Sequence, residues 1–137
     1  MSSRLSRDNL KTREDEISFP VIGAALNISA KLGAGLSESA CETILFHDLT
    51  HKGLFVERQK KISFDYDGIW IENAFRLDLV VDRKVVIEIK SKPAITADHL
   101  KQLTTYLRLT EYKLGLLINF GVPGLKNSIK RIVNDLR

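Results

Sequence analysis

Apolar positions along the chain follow first a helical period and then a strand period. Val21, Ile22, Ala25, Leu26, Ile28 and Leu32 recur at helical spacing, with Pro20 suited to a first turn and Gly33 as the stop. After a turn at Gly33-Ala34-Gly35, a second helix is expected from about Ser37 to His51, ending at Gly53. Leu54 to Phe64 alternates as a strand, and Asp67-Gly68 is a hairpin turn signal leading into Ile69-Trp70-Ile71. Thr96 can cap a helix running to about Thr110, with Leu100, Leu103 and Leu107 as its core stripe. YKLGLLINF, from Tyr112 to Phe120, has the nearly continuous apolar run of a fully buried strand. Beyond it, Leu125, Ile129, Ile132, Val133 and Leu136 mark a last amphipathic helix with Lys126, Lys130 and Arg137 on one outer face. The order is α, α, β, β, β, α, β, α: an α/β domain over 16–137, after a polar, flexible N-terminal segment over 1–15.

AFRLDLVVDRKVVIEIK, from Ala74 to Lys90, reads as two strands joined at Asp82-Arg83-Lys84. With the turn centred on Arg83, Asp78 lies opposite Glu88 and Arg76 opposite Lys90. Alternation then puts Arg76, Asp78, Val80, Val86, Glu88 and Lys90 on one face. Leu77, Leu79, Val81, Val85, Ile87 and Ile89 take the other. Two carboxylates about 4 Å apart repel by roughly 4 kcal/mol at an effective dielectric near 20. Apolar residues on both faces imply burial, so this cluster is either a site or a strongly paired ion network that includes Arg76. A hard divalent cation is the simplest resolution.

Glu38 falls on the stripe of Cys41, Leu45 and Leu49, which aims a carboxylate at the core or its rim. It also suits a helix N-terminus, or the position before a capping box Ser39-x-x-Glu42. Gln102 and Tyr106 stand one turn apart beside the Leu103 stripe.

The 137 residues suit one domain, and 44% hydrophobic with 28% charged is ordinary for a globular chain. A net charge of +4 leans weakly toward an anionic partner, nucleic acid first. The single cysteine, Cys41, excludes an internal disulfide. No apolar run reaches membrane-span length and the N-terminal stretch lacks a signal-peptide core, so a cytoplasmic protein without membrane contact is expected.

Taken together, these residues resemble the PD-(D/E)XK nuclease core and, more narrowly, the GxxExxY proteins, over about residues 18–136. VIGAALNISAKLGAGLSESA, GLFVERQK, FRLDLVV, VVIEIK, QLTTYLRLT and GLLINFGVPGLKNSIKRIVN carry the likeness. The resemblance implies a restriction-endonuclease-like fold, a small mixed sheet flanked by helices. It implies a Mg2+-dependent nuclease, with Mn2+ as substitute, acting on DNA or RNA. Asp78 and Glu88 would ligate the metal with the backbone carbonyl of Ile89. Glu38 would add a ligand or orient a bound water, and Lys90 would stabilise the attacking water or the developing charge. Gln102 and Tyr106 match the Gln-x-x-x-Tyr helix and, with Arg76, are candidates for positioning substrate. Gly35 and Glu38 fit the GxxExxY motif, but Cys41 stands where its tyrosine would be, which implies a packing change. That departure keeps a second reading open: a catalytically inactive nuclease-fold module that binds nucleic acid or a protein partner, or pairs as a homodimer.

His47 and His51 resemble a HExxH zinc pair, but Asp48 replaces the glutamate, and histidines also complement a helix C-terminus. Phe64, Tyr66 and Trp70 could stack bases, although strand aromatics more often serve packing.

Overall fold

A computed structural model describes residues 12–136. The elements are α1 (Arg13–Leu32), α2 (Glu38–His51), β1 (Val56–Tyr66), β2 (Ile69–Val81), β3 (Val85–Lys90), α3 (Ala97–Arg108), β4 (Leu114–Asn119) and β5 (Ile129–Val133). The strands form one sheet in chain order. All neighbours are antiparallel except β3 and β4. That parallel pair requires a crossover, which α3 supplies.

Two apolar layers fix the sheet between helices. On one face, Leu79, Val81, Val85, Ile87 and Ile89 pack with Ile17, Val21 and Ile28 of α1 and Cys41, Leu45 and Leu49 of α2. On the other, Val80, Val86 and Leu117 pack with Leu103 and Leu107 of α3. Gly115 admits α3 closely, since a Cβ there would lie 3.0 Å from a Leu103 methyl. All six residues of β4 are buried, as expected of its sequence.

The helix ends follow their caps. The Ser37 side chain accepts from the Ala40 N–H, and Gly33 closes α1 at φ +78°. Ser37, rather than a Ser39–Glu42 box, thus opens α2. Thr96 and His99 form a reciprocal capping box on α3.

Four expectations are corrected. Pro20 lies inside α1, not in its first turn: Thr12 caps the helix, and Glu14, Asp15 and Glu16 favour its start. Buried Ile17 and Val21 carry α1 across the hydrogen bond the proline lacks, while Leu26 and Leu32 stay largely exposed. Of residues 1–15, those before 12 lie outside the described residues. Leu77 packs with Val80 rather than with Leu79. The β2–β3 ladder stops at Leu79↔Ile87, so Arg76 does not oppose Lys90; its ladder partner is Lys61 of β1.

The fourth correction concerns the last helix. A 3-10 turn, Leu125–Asn127, leads instead into β5, which closes the edge of β4. Ile129 and Ile132 satisfy a helical spacing, but on β5 they pack onto opposite layers of the sheet. An apolar β4 with an open edge favours pairing over a surface helix. The shared basic helix face of Lys126, Lys130 and Arg137 therefore does not form, and Arg137 lies outside the described residues.

The β1–β2 ribbon runs past the end of β3. Tyr66 and Trp70, at its tip, are 67% and 61% exposed, so they are not packing residues.

Candidate active site

The turn Asp82-Arg83 takes positive φ at both residues, matching the right-handed twist of the strands it joins. This fixes the register that brings Asp78 to Glu88. Backbone pairing has ended there, and the two carboxylates take over the hydrogen bonds. Glu88 Oε2 accepts from the Asp78 N–H at 3.0 Å, and Asp78 Oδ2 accepts from the Ile89 N–H at 2.8 Å. Each carboxylate thus satisfies the backbone of the other's strand.

Electrostatically the pair is under load. Burial, then the Asp78 charge, pushes Glu88 up to about 8, with Lys90 pulling the other way. Asp78 is also raised, first by burial, although the Ile89 N–H and Lys90 oppose the shift. Lys90 is therefore within electrostatic reach of both acids. Among the described residues no ion pair joins Arg76 to either, so the ion-network reading loses its arginine. Arg76 is exposed.

The strand beyond Lys90 is held from two sides. Glu38 accepts from the Ser91 N–H at 3.1 Å and pairs loosely with Lys92 at 3.9 Å, while Ser91 Oγ donates to the Leu36 carbonyl. From β4, Asn119 Oδ1 accepts from the Lys92 N–H and its Nδ2 donates to the Lys92 carbonyl. The Phe120 N–H donates to the Lys90 carbonyl at 2.7 Å. Gly121 lies so near that a Cβ would fall 2.4 Å from Lys92 backbone atoms.

Tyr106 stacks on Phe75, ring centroids 4.0 Å apart. Burial, then Glu88 and Asp78, raise its hydroxyl pKa, so the phenol lies within electrostatic reach of the acids. Gln102 is exposed, with no hydrogen bond among the described residues. Cys41 is buried and its thiol is pushed up by that burial, as a packing residue should be. His51 Nδ1 lies 3.0 Å from the His47 carbonyl of its own helix.

Three residues escaped the sequence reading. Glu42, only 7% exposed, accepts from Arg58 Nε and Nη2 at 3.2 Å and from Gln59 Nε2 at 2.6 Å. Gln59 Nε2 also donates to Asp78 Oδ1 at 3.2 Å. Glu42, not Glu38, is the helix acid whose charge raises Asp78 and Glu88. Asn119 is the third. Its signal was available, a lone polar residue in an apolar run, since buried polar groups require partners.

A divalent cation fits the donor set. Two carboxylates raised by burial and by neighbouring negative charge are hard oxygen donors, and Mg2+ sites commonly use one or two carboxylates with water completing the shell. Among the described residues no three His, Cys, Asp or Glu side chains form a metal-binding group, so Glu38 does not join Asp78 and Glu88 as a ready-made trio.

A mixed five-stranded sheet between helices, with paired acids where two central strands part, defines a restriction-endonuclease-like fold. The model of the PD-(D/E)XK nuclease superfamily matches residues 15–132, and the chain belongs to that superfamily. No curated protein and no solved structure matches the chain. No helix among the described residues is long and apolar enough to cross a membrane.

Proposed function

We propose that the protein is a Mg2+-dependent nuclease of the GxxExxY group, hydrolysing nucleic-acid phosphodiester bonds at Asp78, Glu88 and Lys90, with Mn2+ able to replace Mg2+. The observation that carries this reading is the reciprocal hold of the two acids, with Glu88 raised to about 8 and Lys90 beside them. Such a pair is stabilised by a hard cation. Asp78, Glu88 and the Ile89 carbonyl would hold it. When bound, the ion supplies charge neutralisation and an activated water, without a cysteine or serine nucleophile.

The chain's own residues divide the remaining work. Lys90, two residues after Glu88, presents an ammonium to the scissile phosphate. Glu38, through Ser91, keeps the end of β3 in place. Tyr106, within electrostatic reach of the acids, is assigned to positioning substrate. Arg76 and Lys61, both exposed, are cross-strand neighbours, and two adjacent cations favour an anionic backbone between them. Gln102, on the exposed side of α3, is assigned to phosphate positioning.

The test is cleavage of DNA and RNA with Mg2+ or Mn2+. Asp78→Ala and Glu88→Ala should each reduce metal-stimulated cleavage to background. An undiminished rate in both variants would sink the assignment. Metal-independent nucleic-acid binding that survives Asp78→Ala, with no cleavage by wild type, would favour the inactive-module reading.

A further inference from the structure

We propose that Gln59 positions the Asp78 carboxylate, and that Glu42 and Arg58 hold Gln59 in place to do so. The inference rests on the reading of Asp78 and Glu88 as a divalent-cation site.

Arg58 and Gln59 are consecutive residues of β1, yet both hydrogen-bond to the Glu42 carboxylate. A regular strand sends consecutive side chains to opposite faces. The exception is made by the backbone: Gln59 has φ +48° in mid-strand, a conformation that costs a non-glycine residue of order 1 kcal/mol or more. Its ladder position faces Asp78, between the pairs Arg58↔Leu79 and Lys60↔Leu77. The distortion turns the amide onto the two acids.

One nitrogen then serves both carboxylates, since Nε2 donates to Glu42 Oε1 and to Asp78 Oδ1. A carboxylate only accepts, so the amide's NH2 must face this way. Buried Glu42 pairs with Arg58 and anchors that orientation. Asp78 is consequently held at both oxygens, Oδ1 by Gln59 and Oδ2 by the Ile89 N–H. Each oxygen retains a lone pair for a cation. A ligand whose rotation is already restricted loses less freedom on binding.

The test is calorimetric titration of Mn2+ into wild type, Asp78→Ala, Gln59→Asn, Glu42→Gln and Glu42→Leu, with metal-free thermal unfolding of each. Asparagine tolerates positive φ better than glutamine, so Gln59→Asn should keep the unfolding midpoint. It is one methylene too short to span both acids, and should bind Mn2+ about 10–100-fold more weakly. Glu42→Gln retains an oxygen for the Gln59 N–H and should recover most of the affinity that Glu42→Leu loses. Wild-type affinity in Gln59→Asn, with binding lost in Asp78→Ala, would overturn the role of Gln59 and leave the metal site standing. Affinity that falls only in step with unfolding would also overturn it. No binding to wild type, or full binding to Asp78→Ala, would defeat both.

Discussion

The two ends of the β2–β3 hairpin differ in what satisfies their backbone. At the turn end, Val81↔Val85, Val80↔Val86 and Leu79↔Ile87 pair as an ordinary ladder, and all six side chains are 0% exposed. At the far end the ladder stops, and Asp78 and Glu88 supply the acceptors from their side chains. One end therefore gains stability from apolar burial and backbone bonds. The other sets two acids side by side, each accepting a backbone N–H of the opposite strand, at the cost of the burial and neighbouring charge that raise both. The ladder there hands its hydrogen bonds to carboxylates at the border of the core.

The largest expected effect lies at the turn end. Leu79→Ala should destabilise by about 2–5 kcal/mol in urea unfolding, while the fraction that remains folded binds Mn2+ as wild type does. A loss of metal affinity without loss of stability would erase the contrast between the two ends. Next is Gly121→Ala, whose Cβ would strike the Lys92 backbone. Displacing that segment should cost about 1–3 kcal/mol and also weaken activity, because the same segment continues from Lys90.

The far end should show its character in pH. Glu88 is raised from 4.5 to about 8, so the protonated form is the one favoured by folding. Its contribution is complete below about pH 4.5 and is lost as pH rises through about 8, with Asp78 shifted in the same direction. Metal-free stability should thus fall across that window by up to about 1.4 kcal/mol per pH unit. Metal affinity should rise over the same window, as protons leave the acids. Glu88→Gln keeps an acceptor for the Asp78 N–H and removes the charge. It should flatten the stability profile and melt higher than wild type at pH 8 without metal, while abolishing cleavage. A melting point lowered at pH 8 would mean that the charge is not the burden described.

The smallest effect belongs to the turn itself. Asp82 Oδ1 accepts from the Phe55 N–H at 2.9 Å, and its other oxygen meets Arg13 at 3.3 Å. Asp82→Ala should cost about 1 kcal/mol in urea unfolding, without altering metal affinity.

Much of this was legible in the chain because local chemistry sets it. The hairpin centre at Arg83 follows from the polar interruption Asp82-Arg83-Lys84 between β-branched runs, and Gly33, Ser37 and Thr96 mark their helix ends by capping. β5 was not legible, since Ile129, Ile132 and Val133 fit a helical period as well as a two-faced strand, and the decision lies in the open edge of β4. Nor was the Glu42–Gln59 contact with Asp78. It depends on a positive φ within a strand, which no period in the sequence reports, and on consecutive residues turning to the same side. Glu38 was read from its helical face, but that face leads to Ser91 rather than to the paired acids.

The proposed function depends on Asp78 and Glu88 forming a divalent-cation site. The decisive experiment is calorimetric titration of Mn2+ and Mg2+ into wild type and Asp78→Ala at pH 8 and moderate salt, repeated with a nuclease-resistant oligonucleotide present. Saturable binding to wild type should be lost in Asp78→Ala, with the variant still folded. Equal binding by the two proteins, or none by wild type even with the oligonucleotide, would contradict it.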